Sequence, residues 1–117
     1  MVLTVCAAVI VVGHTSCGGI NASLTCSQEQ APLPSPAMQR FLGPLIALCA
    51  SVRASMGLQT GEEADEKTKA ALLQRTTEES VKEQIRKVVA SHVIQANWAG
   101  KKSCFPGAPE AKVQVHG

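Results

Sequence analysis

Six apolar residues in a row, Ala7 to Val12, stop at Gly13 and are followed within six residues by His14, Cys17 and the pair Gly18–Gly19. That run limits the fold more than any other feature. Val9, Ile10, Val11 and Val12 are all β-branched, and the run suits a strand better than a helix. A strand with no polar alternation is expected to be buried on both faces, as in parallel sheets covered by helices. The last segment, "KVQVHG", alternates with period two and reads as a second strand over Lys112–Val115. Everything between reads as helix or loop. The expected fold is therefore α/β, with Val9–Val12 and Lys112–Val115 as neighbouring parallel strands joined by an all-helical crossover.

Within the crossover, Ile20 to Thr25 can continue as a helix after "HTSCGG". The segment "SQEQAPLPSP" holds three prolines in ten residues and reads as a loop. Met38, Phe41, Leu42, Leu45, Ile46, Cys49 and Val52 recur at three-four spacing, which predicts an amphipathic helix over 37–56. Pro44 should kink or restart that helix, with Gly43 easing the break. "GLQTGEEAD" is a polar connection, and Asp65–Arg75 forms a further helix. Thr76 and Glu79 fit a capping box at the start of a separate helix. Its apolar stripe is Val81, Ile85, Val88 and Val89, with Glu78–Lys82 and Glu83–Lys87 spaced for ion pairs. Ser91 can cap a short helix over Val93–Trp98, stopped by Gly100. "KKSCFPGAPEA" is a loop. No internal repeat is visible, and residues 1–117 read as a single domain.

Composition narrows the function. The chain of 117 residues carries a formal net charge of +2 and no long lysine or arginine cluster. Aromatics are 3% of the chain, so base-stacking platforms are scarce and nucleic-acid binding is not expected. No apolar run approaches the roughly 18 residues that span a bilayer, so no membrane partner is expected. The first dozen residues lack the basic start of a secretory signal. Five cysteines, Cys6, Cys17, Cys26, Cys49 and Cys104, form no regular framework. Their odd number fits a reducing compartment, and a cytoplasmic location is expected.

The chemistry lies in "HTSCGG". In parallel sheets, ligand sites form beyond the carboxyl ends of the strands, where the next helix presents free N–H groups. A three-residue separation across a tight turn can bring an imidazole nitrogen and a thiolate onto one ion. Zinc suits that mixed donor pair. Gly18 and Gly19 would let the backbone approach the site closely. By itself H-x-x-C supplies two ligands where zinc needs at least three from protein, and a buried thiol beside a hydrogen-bonded histidine is the plainer reading.

The surrounding residues favour the metal. "VIVVGHTSCGGI" resembles the second zinc motif of the β-class carbonic anhydrases, in which a strand runs into G-H-[ST]-x-C-G-G. "MQRFLGPLIALCASV" is similar to the family's helix after its proline-containing loop. "EESVKEQIRKVVASHVIQANWAGK" is similar to a later helix pair, and "VQVHG" to the start of a core strand. The resemblance runs in order over most of the chain. It implies a β-carbonic-anhydrase-like fold and a zinc lyase that reversibly hydrates carbon dioxide to bicarbonate. It also implies a homo-oligomer, dimeric or larger, with His14 and Cys17 among the zinc ligands.

The family's third protein ligand lies in a C-x-D-x-R motif, and these 117 residues contain none. The expectation is thus an interior and C-terminal portion of the fold. Its parallel sheet would be incomplete, its metal site incomplete, and its activity alone low. A non-catalytic metal-binding or subunit-interaction form is the alternative.

Other cysteines substitute poorly. Cys6 lies eight extended residues before His14, roughly 25 Å away at ~3.3 Å per step. Cys26 stands nine residues after Cys17, ~13 Å along a helix. Cys49 falls in an apolar stripe and reads as core, while Cys104 in its loop stays open. His92 and His116 read as a helix-start and a strand-end residue.

Overall fold

The computed structural model describes residues 8–29, 33, 35–58, 65–100 and 112–117. They form β1 (Ala8–Ile10), α1 (Gly18–Glu29), α2 (Pro36–Ser55), α3 (Glu66–Ala90), α4 (His92–Trp98) and β2 (Gln114–His116). Two compact units result: Met1–Val12 with Val81–Gly117, and Gly13–Ser80. Helix α3 contributes to both.

In the first unit β1 and β2 pair in parallel, Ala8 opposite Gln114, Val9 opposite Val115 and Ile10 opposite His116. The Val11 N–H extends the ladder by donating to the His116 carbonyl at 2.8 Å. The parallel neighbours and the helical crossover are as expected from the sequence. Burial on both faces is not. Val9, Val11 and Val115 are half-buried, whereas Ile10 and Val12 are 67% and 75% exposed. Successive side chains of a strand point to opposite faces, and among the described residues only one face of this pair is covered.

Helix α4 holds the sheet from that side. The Trp98 indole N–H donates to the Val113 carbonyl at 2.7 Å, and the Val113 N–H donates to the Asn97 side-chain oxygen at 2.8 Å. Ser91 caps α4, accepting from the Ile94 N–H, and Gly100 ends it at φ +75°, a left-handed value that favours glycine. The end of β2 presses on α3. A Cβ at Gly117 would overlap Ile85 Cδ1 and lie 2.9 Å from Val81 Cγ1. His92 opens α4 and His116 closes β2, the structural places their sequence positions indicated.

In the second unit α1 packs on α2. Ser35 caps α2 by accepting from the Met38 N–H, with Pro36 at the first helical position, where its missing N–H has no partner to lose. The helix ends on a paired closure. The Gly57 N–H donates to Ala54 and the Leu58 N–H to Arg53, with Gly57 at φ +73°. The helix runs through Pro44 as one element, so the expected restart does not occur. Pro44 is exposed, as is Arg40, whose carbonyl the proline leaves without an amide donor.

The expected apolar stripe is also narrower. Leu42, Cys49 and Val52 are buried, while Met38 is 39% and Phe41 80% exposed. Phe41 sits about 100° around the helix from Leu42, off the face that meets α1. Cys49 is fully buried, as expected of a core residue, and burial pushes its thiol up to about 11 against the opposing pull of nearby Arg53.

Helix α3 corrects the largest misreading. No new helix starts at Thr76; residues 66–90 are one helix, and the Thr76–Glu79 capping pattern is not used as a start. The start lies at Asp65, whose carboxylate accepts from the Thr68 N–H at 2.8 Å. The Thr68 hydrogen bonds hold that carboxyl below its ordinary value, so the cap is present above the usual carboxylate range and weakens as pH falls through it. Leu72 and Thr76, four residues apart, are both buried, and no Gly or Pro separates the two halves. Among exposed pairs, Glu83 accepts from Arg86 at 2.8 Å rather than from Lys87, and Glu66 accepts from Lys69 at 3.1 Å.

Thr76 carries a testable consequence. Its hydroxyl is fully buried and finds no partner among the described residues. Leaving a buried hydroxyl unpaired costs about 1–3 kcal/mol, while an apolar group of the same shape avoids that penalty. Thr76→Val is therefore expected to stabilise the protein by about 1 kcal/mol in urea unfolding. A loss of stability instead would mean that the hydroxyl has a partner.

Candidate metal centre

Residues 13–17 form the turn that leads into α1, and both candidate ligands sit on it. The turn closes through Ser16, whose φ of 56° is the only positive value among described non-glycine residues. Few side-chain-bearing residues enter this region, and the bend carries the chain from His14 round to the head of α1 in three residues. The helix then takes over. The Asn21 N–H donates to the Cys17 carbonyl at 3.0 Å, which places Cys17 at the helix boundary. In the next turn the buried Ser23 hydroxyl donates to the Gly19 carbonyl at 2.8 Å, and Ile20 is buried.

His14 is exposed, and its Nδ1 lies 3.0 Å from the Thr15 carbonyl oxygen. A carbonyl can only accept, so in this bond Nδ1–H donates and Nε2 is the ring nitrogen that carries the lone pair. Metal-binding histidines are generally held this way, with one ring N–H engaged and the other nitrogen on the ion. Cys17 is half-buried and a free thiol. A Cβ at Gly18 would meet nothing within 4 Å, and one at Gly19 would stand 3.9 Å from Cys17 Sγ, an ordinary contact.

The remaining candidates divide simply. Cys26 is half-buried further along α1, and Cys49 is in the core. Cys6 and Cys104 lie outside the described residues. Among the described residues no group of three or more His, Cys, Asp or Glu side chains is placed to hold a metal. A zinc site takes four ligands, at least three of them from protein when the fourth is water. His14 and Cys17 thus fit zinc in kind, nitrogen with sulfur, and fall short in number.

The turn, its two donors and the helix that follows are the features that a family comparison tests. The family model for carbonic anhydrase matches residues 2–108. The chain belongs to the β-class carbonic anhydrase family. No curated protein and no solved structure matches it. The carbonic anhydrase match covers the turn and all four helices. The small parallel sheet with its helical crossover agrees with an α/β portion of that family's fold. No described helix is long and apolar enough to cross a membrane.

Two features of the centre have no signal in the sequence. The Thr15 carbonyl that fixes the imidazole is a backbone group, present at every residue. The left-handed Ser16 stands where asparagine or glycine would have announced the bend.

Proposed function

We propose that the protein serves the zinc-dependent, reversible hydration of carbon dioxide to bicarbonate, a lyase reaction, with His14 and Cys17 as two of the metal's protein ligands. The observation that carries this reading is the single turn on which both residues sit, with the His14 Nδ1–H held by the Thr15 carbonyl. Family membership supports the reaction class and zinc. We further propose a homo-oligomer in the cytoplasm, on the strength of the family and of the odd cysteine count.

A second reading is a non-catalytic metal-binding or subunit-interaction form. It is favoured by the shortfall of donors around the pair among the described residues. Stopped-flow hydration of carbon dioxide by zinc-loaded protein separates the two. The 117-residue chain alone is expected to run little faster than the same zinc in buffer, because two donors do not hold the ion in a shaped, water-excluding pocket. Supplying a C-x-D-x-R segment by fusion should raise the rate, and His14→Ala should remove the gain. Robust hydration by the unfused chain, lost with His14→Ala, would sink the second reading. A fusion that stays inactive while retaining zinc would sink the first.

A further inference from the structure

We propose that Asn97 and Trp98 guard the outer edge of the small sheet, holding the backbone of Val113 so that no further strand pairs there.

The register fixes which way that edge faces. In an extended strand the N–H and C=O of one residue point to one side, and those of the next residue point to the other. Ile10 stands opposite His116, and the Val11 N–H donates to the His116 carbonyl at 2.8 Å. His116 and Gln114 therefore turn their backbone groups toward β1. Val113 and Val115 turn theirs away from it, to the side on which another strand would add.

On that side Val113 is already engaged. Its N–H donates to Asn97 Oδ1 at 2.8 Å, and its carbonyl accepts from the Trp98 indole N–H at 2.7 Å. Chemistry leaves no choice of roles. An indole N–H only donates, and the amide atom that faces a backbone N–H must be the oxygen. Two neighbouring side chains of α4 thus supply the acceptor and the donor that an adjacent strand would supply from its backbone.

The position matters because β2 is short. It spans Gln114–His116, so Val115 is its one residue facing outward. An added strand pairs with alternate residues, and Val113 is the place where its ladder would extend past Val115. Valines at both places favour pairing with other strands, and an uncovered edge invites it. The guard is itself anchored. Ser91 caps α4, and the Gln95 side-chain amide donates to the Val89 carbonyl at 2.6 Å, tying α4 to the end of α3.

The test adds a fluorescent peptide of residues 112–117, KVQVHG, to the full chain and follows its anisotropy. The Asn97→Ala/Trp98→Phe double variant is expected to bind the peptide about tenfold more tightly than wild type, because two backbone groups become available. The same peptide N-methylated at alternate residues should lose that gain, since it cannot donate to the edge. Asn97→Asp keeps an acceptor for the Val113 N–H and should bind as wild type does. If the double variant loses the wild-type far-ultraviolet circular dichroism, Trp98→Phe alone carries the test. It frees only the carbonyl, and the expected gain is about threefold. No gain in the variants would overturn the guard. A gain that survives N-methylation would overturn it as well, since the peptide would then be held by an apolar surface rather than by a strand edge.

Discussion

Leu42→Ala is expected to lower the free energy of unfolding by about 2–5 kcal/mol, the range for truncating a buried leucine. Leu42 is only 3% exposed, on the face of α2 that also buries Cys49 and Val52. Truncation removes three carbons from that layer and leaves a cavity that helices fixed at both ends of the contact fill only in part. Against a total of about 5–15 kcal/mol for a domain of this size, such a loss is severe. The neighbouring Phe41→Ala supplies the control. Phe41 is larger but 80% exposed, so its removal should change stability by about 0.5 kcal/mol or less. Urea unfolding of both variants, followed by circular dichroism, checks the contrast. Equal losses would mean that something covers Phe41.

His14→Ala and Cys17→Ser should each weaken zinc binding by more than about 100-fold, beyond the 10–100-fold typical of losing an outer-shell partner. Each removes one of only two described donors on the turn. Cys26→Ser is the discriminating comparison, because Cys26 is also a half-buried free thiol, on the helix that follows the turn. It lies nine residues beyond Cys17, ~13 Å along the axis, and should leave affinity unchanged. Competition with a chromophoric chelator measures all three. A comparable loss with Cys26→Ser would move the site along α1.

Where the sequence was legible, a strong local signal and the tertiary arrangement agreed. The β-branched run and the period-two tail gave two strands and their parallel sense. The boundaries of α2 came within a residue because Pro36 and Gly57 punctuate both ends. His14 and Cys17 are proposed from a motif rather than from geometry. The misreadings share a cause. Thr76 and Glu79 make a valid helix start in isolation, yet the buried face through Leu72 and Thr76 continues in register, and packing outweighs a cap worth about 1 kcal/mol. Likewise residue type alone points Ile10, Val12 and Phe41 to the interior. Hydrophobicity says which residues can be buried; the elements that arrive to cover them decide which are.

The register of the small sheet has a consequence for how the chain is made. Ala8 pairs with Gln114, so 106 positions separate the two strands (114 − 8). Closing a flexible loop of that length costs about 4 kcal/mol in chain entropy, more than three-residue strands return. The order of events follows. Helices form from neighbours in sequence within microseconds, and each shortens the tether. On a ribosome emitting about 5–20 residues per second, β1 emerges first and waits several seconds for its partner. Throughout that interval its apolar side chains and open edge are available to any other strand in reach, so a nascent chain of this kind is most vulnerable to mispairing before β2 appears.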